Sequence, residues 1–449
     1  MPDILTESEA RALCDRILSR TTADGAEVRL LSGLEGNTRF AANQLTTAGE
    51  VVDAEATLTA RFGQRSASVS FNSLSDAGID AAVRKAESLA RLSPEDPEQM
   101  PLLGPQQYLA PGAFFDGTEG LGPERRADAV AEAVAQPRQA DLVATGFVER
   151  VARSTAVANA AGLFAYSRSS LASFTTTVRT PDGGGSGWAG GTHNDWSRVA
   201  APAELVQRAA DKAERSVDPT VAQPGPYTVV LEPTAVGNLL QLLSFGLDAR
   251  SNDEGRGAFA RPGGGNQIGE RVMDERVTVF SDPEDPDLLE RPFTDDGLPV
   301  GRTTWIEGGV LANLAYDRYW ADRQGRDPLP RAGGLKFAGQ SGSVEDLIEG
   351  VDFGLLVTRF WYIRGVDPRT LKYTGLTRDG TFLIENGRVT VAVKNLRFNE
   401  SIVTMLNNVE AVGEAVRVVA SESGGLGPAV VAPPLVVRDF RFTSVSDAV

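Results

Sequence analysis

The chemistry open to this chain is bounded first by what it lacks. Among 449 residues there is one histidine, His193, and one cysteine, Cys14. Protein zinc sites take several His, Cys or carboxylate ligands, so no histidine pair can hold zinc here and carboxylates would have to replace the usual donors. A Ser-His-Asp triad would have to use His193, and no Gly-x-Ser-x-Gly elbow occurs; Gly185-Ser186-Gly187 and Ser341-Gly342 are incomplete. The Gly-rich run Pro181–Trp196 lacks the Lys-Ser/Thr and the immediate helix of a phosphate-cradling loop. It reads as a mobile surface insert, with Trp188 and Trp196 pinning it or touching a ligand. Asp282-Pro-Glu-Asp-Pro-Asp287 lacks calcium-loop spacing. Hydrolysis by two carboxylates, such as Asp379 and Glu385, stays open.

The stretch richest in binding potential is Tyr373–Gly380, with two glycines, three hydroxyl or phenol side chains, an arginine and an aspartate. Its end, Thr377-Arg378-Asp379-Gly380, can offer backbone amides and a fixed guanidinium to a bound chain. Directly after it, two β-prone runs, Thr381–Ile384 and Arg388–Val393, flank Asn386-Gly387. That dipeptide suits the two positive-φ positions of a type I′ turn, so a tight hairpin is expected.

Upstream elements must position that loop. Thr6 with Glu9 forms a capping box ahead of a helix in which Cys14 lies on the apolar face. From Glu27 to Ser73 the pattern alternates as antiparallel strands, with Gly63 as a turn, and Ser75 caps a second helix. The Pro-rich segment 95–112 reads as a linker. The same order then recurs, with helices expected over Pro123–Gln136 and Pro202–Val217 around strand-like runs from Leu142 to Val178. Equivalent positions lie 117 apart, as in Thr38-Arg-Phe-Ala41 and Thr155-Ala-Val-Ala158, so the unit is read as duplicated. After residue 222 comes a strand at Tyr227–Leu231, a helix over Thr234–Leu247, a polar loop over Asp248–Gly269, a hairpin over Thr303–Leu311 and a closing strand at Pro434–Phe442. The expected fold is α+β: a first unit at 1–112, its repeat at 113–222, and a mainly β domain at 223–449.

A net charge of −16 argues against nucleic acid or an anionic membrane as partner. The single cysteine fits a reducing compartment, the acidic N-terminal stretch lacks the regions of a signal peptide, and no run has the ~18 apolar residues of a membrane helix. A cytoplasmic location is expected.

Thr374-Gly-Leu-Thr-Arg-Asp-Gly-Thr-Phe-Leu-Ile-Glu-Asn-Gly387, with Val366–Leu371 before it and Val391–Leu396 after it, resembles the C-terminal region of the TldD/PmbA family. Ala249–Phe259, Ile306–Leu311, Thr38–Ala41 and Asp439–Phe442 extend the likeness over nearly the whole chain. The resemblance implies a heteromeric metallopeptidase. Its TldD subunit carries zinc on a His-Glu-x-x-x-His helix with a later cysteine, and its TldE (PmbA) subunit lacks that motif. Aligned from Phe259, the metal helix falls on Leu240-Gln-Leu-Leu-Ser-Phe245. Leu240 and Phe245 replace the histidines, Gln241 replaces the glutamate, and no cysteine follows Cys14. The resemblance therefore implies a TldE-type subunit with no catalytic residue, metal or cofactor of its own. Zinc is expected on a TldD-type partner, and the chain helps to hold an extended peptide through Thr377, Arg378, Asp379 and Gly380. A stand-alone peptide-binding or assembly protein and a carboxylate-based hydrolase are the alternatives.

Overall fold

The computed structural model describes residues 4–331 and 333–446; the first three residues of the acidic N-terminal stretch lie outside them. The expected capping box is present, with the Thr6 and Glu9 side chains each bonding the other's backbone at the start of helix Glu7–Leu18. Ser75 caps helix Asp76–Leu92. Helices Pro123–Gln139, Pro202–Arg215 and Pro233–Leu243 all begin on proline, where the missing N–H costs no hydrogen bond and φ is already helical.

Six antiparallel strands form the first sheet: β1 (Gly25–Ala41), β2 (Gln44–Phe62), β3 (Arg65–Phe71), β4 (Val143–Asn159), β5 (Phe164–Arg179) and β6 (Ser186–His193). Their order is β3-β2-β1-β4-β5-β6. Each half is helix–three strands–helix, and the halves meet where β1 pairs with β4 from Glu27↔Asn159 to Phe40↔Gly146. The two units thus meet at a central strand pair and lie in one continuous sheet. One face is apolar by strand alternation. Val28, Leu30, Ala56 and Leu58 pack under the first pair of helices, and Phe40, Val148, Phe174 and Val178 under the second.

The Gly-rich run corrects an expectation. Residues 186–193 are a strand rather than a surface loop, and they occupy in the second half the place that β3 takes in the first. The glycines serve close approach instead of flexibility. A Cβ on Gly187 would lie 2.0 Å from the Ala209 carbonyl oxygen of helix Pro202–Arg215. Trp188 and His193 are buried, Trp188 under Arg359 and His193 against the Pro286 carbonyl. The Pro-rich linker is also held down: Arg250 binds Glu98, Arg318 donates to the Pro101 carbonyl at 2.5 Å, and Tyr108 donates to Gly297 O at 2.8 Å.

The C-terminal part is mainly β. A nine-stranded sheet runs through Phe360–Asp367, Lys372–Thr377, Leu396–Ser401, Leu435–Val445, Gly225–Leu231, Phe353–Val357, Thr381–Glu385 and Arg388–Ala392, with Val409–Val412 added on Leu435–Val445. Alternation along Gly225–Leu231 sends Val229 and Leu231 into the main core and Val230 into a smaller core on the other face. Six short strands form a further sheet that shares the main core through Val279, Ile306, Phe337 and Val430. Phe360, Phe398 and Phe440 form its aromatic centre, with centroids 4.7–5.8 Å apart. The tail strand Leu435–Val445 closes the sheet internally, between Leu396–Ser401 and Gly225–Leu231.

Candidate functional site

Strand alternation leaves the other face of the first sheet turned toward the C-terminal domain. Register aligns Arg39 with Phe147, Phe147 with Thr175, Thr145 with Thr177 and Thr177 with Trp188. These side chains line a cleft of about 380 Å³ whose opposite wall is Arg359, Trp361, Arg378, Asp379 and Glu422–Gly425.

The expected binding loop forms part of this wall. Thr377 ends strand Lys372–Thr377 and is fully buried, accepting from Leu396 N at 3.0 Å. Asp379 takes φ +55°, and Gly380 takes φ +128° with its carbonyl received by the Thr358 hydroxyl at 3.0 Å. Asp379 has its side chain 3% exposed and accepts from Ser186 Oγ at 2.6 Å. Its other oxygen lies 3.4 Å from Nη1 of Arg359, whose side chain is 5% exposed. Burial pulls the Arg359 pKa down, and the Asp379 carboxylate counters that by stabilising the charge.

Arg359 sits over the Trp188 ring at 4.4 Å and near Trp361 at 5.5 Å, and donates to the Glu422 carbonyl at 2.5 Å. Its Nε has no partner among the described residues. Arg378 lies 4.9 Å over Trp361 and 3.8 Å from the Asp379 carboxylate. Sequence reasoning missed Arg359, Trp361 and Glu422, because the Ser421–Ala429 segment and the sheet meet only in the folded chain.

The carboxylate pair is not assembled. Asp379 is held in the interdomain contact, whereas Glu385 is exposed at the hairpin end and accepts from Thr390 Oγ1 at 2.9 Å. Strand geometry alone separates Thr381 from Glu385 by about 13 Å, beyond the ~5–9.5 Å of cooperating carboxylates. The hairpin forms as expected, with φ of +52° at Asn386 and +72° at Gly387.

A second cavity, of about 790 Å³, lies further along β5 beside Ser169–Leu171, Glu290, Arg417 and Leu426–Ala429. Burial pushes the Glu290 pKa up to about 7, opposed by the Gly334 backbone N–H and the Arg417 charge. Arg417 donates to Asn194 Oδ1 at 2.7 Å. Nearby His193 accepts from Asp195 N at 2.9 Å through Nδ1 and reaches the Pro286 carbonyl at 3.2 Å with Nε2. It is therefore a neutral imidazole, and burial lowers its pKa to about 4.

The positions aligned with the metal motif lie elsewhere. Leu240 is in the main core, 1% exposed, and Gln241 donates to Ala420 O at 2.5 Å. The expected helix to Leu247 stops at Leu243, leaving Phe245 beyond it and 62% exposed. These residues do not fit a zinc ion: two are hydrocarbon and the third is a neutral amide. Among the described residues no group of three or more His, Cys, Asp or Glu is placed to hold a metal.

Family models match nearly all of this architecture. The PmbA/TldA metallopeptidase domain 1 matches residues 26–90, the central domain 119–217 and the C-terminal domain 224–444. The chain belongs to the PmbA/TldD family. A metalloprotease TldD homolog from Buchnera aphidicola is 24% identical over 233 residues, 49% of this chain and 45% of that protein. A metalloprotease from Methanothermobacter thermautotrophicus is 24% identical over 245 residues, 51% of each. The matches thus span about half the length of these curated relatives. The crystal structure of TldE from Thermococcus kodakarensis has the same fold, with a TM-score of 0.83, 16% identity, and coverage of 97% of this chain and 100% of that one. The PmbA/TldD chain described here is metallopeptidase-related, and among the described residues no helix is long and apolar enough to cross a membrane.

Proposed function

We propose that this chain is the metal-free subunit of a TldD/TldE-type peptidase, holding extended peptide for a partner that carries the zinc. The observation that carries this reading is the occupation of the aligned metal positions by Leu240, Gln241 and Phe245 in a chain with no second histidine. Neither Leu240 nor Phe245 can ligate zinc, and the Gln241 amide cannot act as general base. The interdomain cleft, with Arg378 at its wall, is the surface offered to peptide. Partner and substrate are a TldD-type subunit and an unfolded or linear peptide, in the cytoplasm, with no nucleic acid or membrane involved.

Metal analysis of the purified chain tests the reading. Less than about one-tenth equivalent of zinc is expected, because a structural site needs about four N, S or O ligands, together with no peptidase activity from the chain alone. Stoichiometric zinc that survives dialysis against a weak chelator would overturn it.

A further inference from the structure

The cleft's charge is opposite to the chain's. The protein carries −16 overall, yet four arginines line this one cavity: Arg39, Arg179, Arg359 and Arg378. Its two carboxylates are already engaged. Asp379 is taken by Ser186 and Arg359, and Glu422 accepts from Ile363 N at 2.6 Å and from Arg364 at 2.9 Å. Arg39 and Arg179 make no ion pair or side-chain hydrogen bond among the described residues.

The neighbouring surface suits an anion on an extended backbone. Thr145, Thr175 and Thr177 put hydroxyls along the sheet wall, and Trp188 and Trp361 flank the guanidinium groups. Arg39 lies two strands from β5, at the level of Thr175, and Arg179 lies four residues further along β5. Strand spacings place their Cα atoms about 16 Å apart. That span accommodates several residues of extended peptide and separates two carboxylates by more than one residue. Guanidinium is the side chain best matched to planar carboxylate, and cleft walls concentrate the field of like charges.

We infer that the cleft selects acidic peptides, taking their carboxylates on Arg39 and Arg179. This rests on the reading of the cleft as a peptide site and names the class of peptide.

The test is fluorescence anisotropy on the full chain with a dye-labelled ten-residue peptide of Gly, Ser and Glu. Its controls are the same peptide with Gln for Glu, and each of the two with a C-terminal amide. The Glu peptide is expected to bind at least tenfold more tightly than the Gln peptide, with the preference shrinking as salt rises. Arg39→Gln/Arg179→Gln should remove the preference while leaving the unfolding midpoint unchanged, since neither side chain has an ion pair or hydrogen bond to lose among the described residues. A preference that follows the free C-terminus rather than Glu assigns the same arginines to the terminal carboxylate. Equal binding of Glu and Gln peptides, or a preference that survives in the double variant, overturns the inference and leaves the cleft as a peptide site. Absence of binding by every peptide overturns both.

Discussion

The carboxylate of Asp379 accepts a hydrogen bond from Ser186 at 2.6 Å across 193 residues of chain. This contact joins the loop ahead of the C-terminal hairpin to the edge strand of the N-terminal sheet. With Arg359 on its other oxygen, Asp379 links the edge strand to the buried guanidinium of the opposite wall.

Replacing Asp379 by Asn tests this. Asn tolerates the left-handed backbone found here and still accepts from Ser186, so the substitution removes chiefly the charge facing Arg359. Breaking a buried pair by removing one partner costs about 3–5 kcal/mol. Urea unfolding should show a loss of that order, against about 1–2 kcal/mol for Ser186→Ala. A loss from Asp379→Asn of the size seen for an exposed pair would show that Arg359 does not depend on it.

The hairpin is set by its turn. A Cβ on Gly387 would stand 2.9 Å from the Glu349 carbonyl oxygen, at a φ that L-residues avoid. Asn386 N donates to Asp352 O at 2.6 Å. Gly387→Ala is expected to cost about 1–3 kcal/mol. Asn386→Pro should cost about 3 kcal/mol or more, losing both the donor and the positive φ. Amide hydrogen exchange across Thr381–Ala392 would localise the damage, and unchanged protection would refute it.

Two buried groups give opposite pH dependences. Glu290 is raised to about 7, so the folded chain keeps a proton that the unfolded chain has released. Its contribution is full below about 4.5, falls as pH rises to about 7, and is level beyond, a change on the order of 3 kcal/mol. His193 is lowered to about 4, so its contribution is present above 6.5 and lost as pH falls toward 4. Unfolding free energies of Glu290→Gln relative to the parent should therefore rise between pH 5 and pH 7. The parent should lose more than His193→Gln as pH falls from 6.5 to 4.5. Parallel pH profiles would show that neither group is perturbed.

Much of the fold was legible because it is written locally. Capping residues, prolines at helix starts, strand alternation and the Asn386-Gly387 turn each act within a few residues. Pro181–Trp196 misled because glycine signals a turn as readily as a close approach, and only the helix packed over Gly187 decides between them. The loop Thr377–Gly380 was visible as a chemistry-bearing stretch, but its partners were not. Ser186, Arg359 and Glu422 come to it from distant segments, and no local pattern encodes that meeting.

The central claim is that this chain works through a metal-bearing partner, and reconstitution tests it most directly. The purified chain should be mixed with a family member carrying His-Glu-x-x-x-His, and cleavage of a quenched fluorescent peptide followed beside size-exclusion chromatography. The expected result is a stable complex whose peptidase activity neither chain shows alone. Arg378→Ala in that complex should lower kcat/KM by about tenfold without dissociating the subunits. If no complex forms with any such partner, or if the partner alone is as active as the mixture, the account is contradicted and the chain is a stand-alone binding protein.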